Sequence, residues 1–105
     1  MNNDGCAALF KSISDEKRFR IIEMLSSGSL CACRILEQFE FTQPALSQHM
    51  KVLVGCGLVN GVRAGNWMHY SLNRDKIFEM IGILEHMVKS TNAENVEKRC
   101  ESAKE

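Results

Sequence analysis

Apolar residues recur at helical spacing over most of this chain, and the pattern switches to strict alternation only once. A first short helix runs through Cys6, Ala7, Ala8, Leu9 and Phe10. Ser14 can cap a second, with Asp15 and Glu16 in a first turn where the helix dipole favours acids. Phe19, Ile22 and Leu25, with Ile21 and Met24 beside them, give that helix a wide face to bury, and Gly28 stops it. Ser29 can cap a third helix from Leu30 to about Phe39. After Glu40 and Phe41, Thr42 caps a fourth, with Pro44 in the first turn where its missing N–H does no harm. The fourth helix runs to about Val54 and ends at Gly55.

The period then changes. Residues Leu58 to Arg63 and Trp67 to Leu72 read as two short strands joined by Ala64-Gly65-Asn66, a Gly-containing hairpin turn. In the second strand Met68, Tyr70 and Leu72 share one face, and Trp67, His69 and Ser71 the other. Trp67 is expected to pack and brace the hairpin. Beyond it, Ile77, Met80, Ile81, Leu84, Met87 and Val88 trace one stripe of a long helix, with Phe78 and Ile83 outside the stripe. A helix apolar on more than one side needs a second partner, and in a chain this small another copy fits that role. From Thr91 to Glu105 the residues are polar and charged, as in a frayed or disordered tail.

The predicted fold is therefore mainly α with a small β-hairpin, ordered α-α-α-α-β-β-α. It occupies residues 1–90 as one domain, and residues 91–105 form the tail. A short helix pair followed by a hairpin is the winged helix-turn-helix arrangement, in which the fourth helix is offered to the DNA major groove. On a helical wheel Leu46, Met50, Leu53 and Val54 cluster inward. Ser47, Gln48 and Lys51 point outward with Pro44 and Ala45, and His49 lies at the border. Hydroxyl, amide and ammonium groups on one exposed face can contact phosphates and base edges, although a plain solvated face would look the same.

Charge at first opposes that reading. The 105 residues carry 13 basic and 13 acidic side chains, a net charge of zero, whereas DNA-binding domains usually show a basic excess. The distribution reverses the inference. Residues 1–41 carry a net −1 and residues 75–105 a net −2. Residues 42–74 hold Lys51, Arg63 and Arg74 with no acid, a net +3 placed on the fourth helix and the hairpin. The apolar fraction, 45%, and the charged fraction, 25%, are those of a globular protein and exclude wholesale disorder. Five cysteines are too few for a disulfide scaffold and odd in number. With no signal-peptide h-region and no run near ~20 apolar residues, the expectation is a cytoplasmic protein with free thiols and no membrane partner. No nucleophile, base and orienting group stand in a recognisable catalytic motif, so an enzyme is not expected.

The run Thr42-Gln43-Pro44-Ala45-Leu46-Ser47-Gln48-His49-Met50-Lys51-Val52-Leu53 is followed by Gly57-Leu58-Val59 and by Arg63-Ala64-Gly65-Asn66-Trp67-Met68-His69-Tyr70-Ser71-Leu72. With Ser14 to Ile22 upstream, these segments resemble the ArsR/SmtB family of metal-sensing repressors over about residues 8 to 90. The resemblance implies a homodimer that sits on a palindromic operator in double-stranded DNA and leaves it when a metal or metalloid binds. It places DNA contacts at Gln43, Ser47, Gln48, His49 and Lys51 of the fourth helix and at Arg63 of the wing.

Leu30-Cys31-Ala32-Cys33 resembles the family's L-C-x-C metal box. Thiolates suit soft ions, and three sulfurs suit the trigonal pyramid of As(III) or Sb(III) as inducer, with no organic cofactor. Packing by two small cysteines is the bland alternative. Residues i and i+2 of a regular helix point to nearly opposite sides, so Cys31 and Cys33 would share one ion only if the first turn distorts. In one version of the box a third cysteine stands where this chain has Leu36. Cys6 is then the first candidate for a third ligand, Cys100 the second, and Cys56 is expected to pack. The family's other site, D-x-H…H-x-x-E on the last helix, is absent: Asp75 precedes Lys76-Ile77, and Lys89 stands three places after His86. Release by Cd(II) or Pb(II), or thiol oxidation without metal, are the alternatives to As(III) or Sb(III).

Overall fold

The computed structural model describes residues 3–40 and 42–90. Its elements are α1 (Asn3–Ser12), α2 (Glu16–Leu25), β1 (Leu30–Cys31), α3 (Ala32–Gln38), α4 (Gln43–Gly55), β2 (Val59–Ala64), β3 (Trp67–Leu72) and α5 (Arg74–Lys89). This is the expected winged helix-turn-helix order with one additional strand. The expected tail, and Cys100 within it, lie outside the described residues, as does Phe41 in the turn between α3 and α4.

The cap of α2 is Asp15, not Ser14. A carboxylate can accept two backbone bonds, and Asp15 takes those of Lys17 (2.9 Å) and Arg18 (3.1 Å). The Ser14 hydroxyl instead donates to the Lys11 carbonyl at the end of α1, at 2.7 Å. Ile21, Ile22 and Leu25 form the buried side of α2. Phe19, expected among them, is 47% exposed.

Leu30 and Cys31 do not begin a helix capped by Ser29. They form a short edge strand antiparallel to β3, with Leu30 opposite Tyr70 and Cys31 opposite His69. The sheet order is β1-β3-β2. Pairing gives the otherwise open edge of β3 a partner for its backbone groups, which outweighs one more helical turn. Leu30 packs against the core beside Tyr70, whereas Cys31 and His69 fall on the opposite face of the sheet.

The core lies between the helices and the inner face of the sheet. Ile21 and Leu25 of α2, Ile35 of α3, Met50 and Leu53 of α4, and Leu58 and Val59 entering β2 are all essentially inaccessible. Tyr70 is buried from β3, and Leu9 and Met80 extend the core to α1 and α5. Val54, placed inward on the wheel, is 41% exposed; three positions, Leu46, Met50 and Leu53, suffice to seat α4.

Thr42 caps α4 through a 3.2 Å bond from the Ala45 N–H. The helix ends in a Schellman motif: the Gly57 N–H bonds the Val54 carbonyl and the Leu58 N–H bonds the Leu53 carbonyl. Gly57 has φ +86°, a left-handed conformation in which a side chain is strained. Leu53 and Leu58, both fully buried, supply the hydrophobic contact that accompanies the motif. Thus Gly57-Leu58-Val59 turns the chain from α4 directly into the wing. Asn73 locks that corner, since its backbone N–H bonds the Leu58 carbonyl and its side-chain amide the Gly57 carbonyl.

The hairpin loop is two residues long, not three, because Ala64 pairs with Trp67. Of the two loop residues only Gly65 has a positive φ, +66°, the pattern of a type II′ turn. Trp67 is 37% exposed on the outer face, so it packs less than expected.

Candidate nucleic-acid interface and thiol site

The described part of α4 presents the predicted residues together. With Leu46, Met50 and Leu53 turned into the core, Gln43, Ser47, Gln48 and Lys51 are all exposed. Ser47 stands four residues from both Gln43 and Lys51, so the three form one stripe, and Gln48 flanks it. Arg63 is exposed near the tip of β2, opposite Met68 in the ladder. It therefore belongs to the wing and not to the α4 stripe. Arg74, the third cation of the basic segment, donates to the Ser26 carbonyl at the end of α2, at 2.9 Å.

His49 is half-buried beside the stripe. Its Nδ1 lies 3.4 Å from Nη1 of Arg18 on α2. Arg18 was not legible as a partner: within Asp15-Glu16-Lys17-Arg18 it reads as one more solvated charge. The nearby Asp15 carboxyl is held below its ordinary range, first by the Arg18 backbone N–H and then by that of Lys17. The charge of Arg18 adds weakly.

The two cysteines of the Leu30-Cys31-Ala32-Cys33 segment meet. Cys31 is the last residue of β1 and the N-cap of α3, with extended backbone angles (φ −71°, ψ 146°), while Cys33 is already in the first helical turn. The helical i, i+2 divergence therefore does not apply. The Cys31 Sγ accepts the Cys33 backbone N–H at 3.4 Å and lies 2.7 Å from the Cys33 Sγ. No distortion of α3 is needed to bring both sulfurs to one point, contrary to the expectation from helical spacing.

Their protonation is unequal. The Cys31 thiol is lowered from the ordinary range, chiefly by the hydrogen bond it shares with Cys33; burial opposes this, and the Cys33 and Arg34 backbone N–H groups add to it. The Cys33 thiol is raised, chiefly by that same shared hydrogen bond. Two thiols with their sulfurs in contact and their proton affinities pushed apart form a pair of soft donor atoms at the β1–α3 junction.

The other cysteines are elsewhere. Cys6 lines a cleft of about 640 Å³ between α1 and α5, with Phe10, Ile83, His86 and Met87 among its neighbours. Cys56 is half-buried at the end of α4, its thiol donating to the Leu53 carbonyl at 3.4 Å. Among the described residues no three His, Cys, Asp or Glu side chains gather at one point.

On α5 only Met80 is buried. Phe78, Ile81, Leu84, Met87 and Val88 are between 45% and 78% exposed, a large apolar surface for one helix.

Residues 15–61 match the family described as "Bacterial regulatory protein, arsR family". The chain is 41% identical over 87 residues to an arsenical resistance operon repressor of Staphylococcus aureus, spanning 80% of this chain and 84% of that protein. It is 46% identical over 75 residues to the arsenical resistance operon repressor of Staphylococcus xylosus, spanning 71% and 72% respectively. An ArsR-like transcriptional regulator from Rhodococcus sp. RHA1 superposes with a TM-score of 0.72 over 96% of this chain and 91% of that one. At 23% identity that likeness concerns the fold.

Proposed function

The chain belongs to the arsR family of bacterial transcriptional repressors, and from that premise we propose that As(III) or Sb(III) is the inducer that releases it from its operator. The observation that carries this reading is the Cys31–Cys33 sulfur pair, in contact at the junction of β1 and α3. Cys31 and Cys33 are two of the ligands. The third comes from outside the pair: Cys6 of a second copy is the first candidate, Cys100 the next, and Cys56 is engaged in packing.

The protein works as a homodimer held by the exposed apolar face of α5 together with α1. A two-fold dimer presents two α4 helices about one helical turn apart, and so selects a palindromic site in double-stranded DNA. Lys51 and Arg63 meet phosphates, while Gln43, Ser47, Gln48 and His49 contact base edges and backbone. The protein acts in the cytoplasm, where thiols stay reduced. Among the described residues no helix is long and apolar enough to cross a membrane.

Operator binding by the reduced protein, titrated with As(III), Sb(III), Cd(II), Pb(II) and Zn(II), tests the proposal. Release by arsenite with thiolate charge-transfer absorbance supports it, and release by Cd(II) or Pb(II) alone reassigns the inducer. The protein with Cys31→Ser and Cys33→Ser should bind operator and ignore arsenite. Normal release of that variant would remove the pair from the sensor. The same sulfur contact favours a second reading, a thiol switch in which peroxide oxidises the pair. Metal-free release by peroxide, reversed by reductant, would establish that one.

A further inference from the structure

Arg18 joins three helices. It lies in α2, its Nε donates to the carbonyl of Ser12, the last residue of α1, at 2.6 Å, and its Nη1 reaches Nδ1 of His49 in α4. The Asp15 carboxylate accepts the Arg18 backbone N–H, which seats the residue at the start of α2. A guanidinium carries five donors and no acceptor. The contact with Nδ1 therefore requires a lone pair on that nitrogen, and a neutral imidazole then carries its proton on Nε2.

We propose that Arg18 is a positioning residue for operator recognition, holding His49 of α4 as its Nε2–H tautomer and tying α4 to the end of α1. This rests on the reading of α4 as the DNA-contacting helix. With Nδ1 accepting from Arg18, the ring meets DNA as a single N–H donor, the form suited to a phosphate oxygen. The Ser12 carbonyl is one of the acceptors that a helix C-terminus leaves without an intrahelical partner, and a cation there is favoured by the helix dipole. Since α1 packs on α5, Arg18 also links the orientation of α4 to the apolar surface where a second copy docks. Arg18 touches no base in this scheme; it acts through His49.

The tautomer is read directly in the unaltered protein by long-range ¹H–¹⁵N correlation of the histidine rings, assigned with His49→Gln. The proposal requires the Nε2–H pattern for His49 and loss of that preference in Arg18→Ala; an Nδ1–H pattern in the unaltered protein overturns it. In operator binding, Arg18→Ala and His49→Ala should each weaken affinity about tenfold, the scale of one partly exposed charge-assisted hydrogen bond. The double variant should be no weaker than either single, whereas multiplying losses would show independent roles and refute the coupling. Arg18→Ala should leave the salt dependence of binding unchanged. A slope reduced by a phosphate contact would make Arg18 a direct DNA ligand and overturn the positioning role. Ser47→Ala and Gln48→Ala separate the two readings. If they weaken binding while Arg18→Ala does not, only the positioning role fails. If all of these variants bind like the parent, the assignment of α4 falls and the proposal with it.

Discussion

Lys51 and Arg63 stand out because both are exposed, on α4 and on the wing, in a segment with no acidic residue to offset them. Replacing Lys51 by Ala removes a charge and little else, since alanine favours the helix and the neighbouring core positions are already filled by Met50 and Leu53. Each phosphate neutralised contributes about 0.9 to the slope of log Kobs against log salt. A residue present once per protomer acts twice in a dimer, so Lys51→Ala should reduce the slope by about 1.8. Between about 50 and 200 mM salt, a fourfold change, the affinity gap between parent and variant should therefore narrow by about twelvefold. Fluorescence anisotropy of a labelled operator across that salt range measures both lines, and Arg63→Ala should behave alike. Parallel lines for parent and Lys51→Ala would mean that Lys51 faces solvent in the complex. A change of about 0.9 would mean that only one protomer places it on DNA.

Other outcomes follow from the same structure. Gly57→Ala places a side chain at φ +86°, while the nearest atom a Cβ would meet, at 3.2 Å, is the flexible Lys76 Cε. The backbone term should dominate, lowering stability by about 1–2 kcal/mol in urea unfolding at fixed protein concentration; a change under about 0.5 kcal/mol would contradict it. Cys31 should be alkylated by iodoacetamide faster than Cys33 near neutral pH. Cys33→Ala should slow it, because loss of the S–H donor raises the Cys31 pKa and empties the thiolate as pH falls. Peptide mapping by mass spectrometry across pH reads both rates, and equal rates would argue against the shared hydrogen bond. Leu84→Glu, on the exposed face of α5, should convert the dimer to monomer in analytical ultracentrifugation and cost operator affinity, with the monomer's helix content retained. A dimer that persists would place the interface elsewhere.

Much of the fold was legible because its signals are local. Thr42 and Pro44 start α4, Gly55 marks where it stops, and the alternation from Trp67 to Leu72 sorts β3 into two faces without any knowledge of neighbours. The errors fall where a local preference competes with a distant partner. Leu30 has helix propensity and a serine before it, yet the open edge of β3, about 40 residues away, draws it into a strand. Asp15 displaces Ser14 as a cap because the Ser14 hydroxyl is already used by α1. Phe19 and Val54 fit an apolar stripe by spacing, but which side of a stripe is covered depends on the diameter of the packed neighbour. Arg18 carries no local mark of its role, since its two acceptors are the end of one helix and a ring on another.

The missed strand bears most on how sensing reaches DNA. If Cys31 were the first residue of a helix, a bound ion would have to distort α3, and the effect would pass to α4 through helix packing alone. Instead Cys31 has two attachments: its backbone pairs with His69 in the wing strand, and its sulfur caps the first turn of α3. On the proposed reading, an ion drawing on both sulfurs would compete with the Cys33 N–H for the Cys31 Sγ. Any shift it causes would reach β3 through the Cys31–His69 pairing and α3 through the cap. On the proposed reading of Lys51 and Arg63, strain divided between the wing and α4 would weaken two sets of phosphate contacts together. Allosteric couplings are typically worth roughly 5–150-fold in affinity.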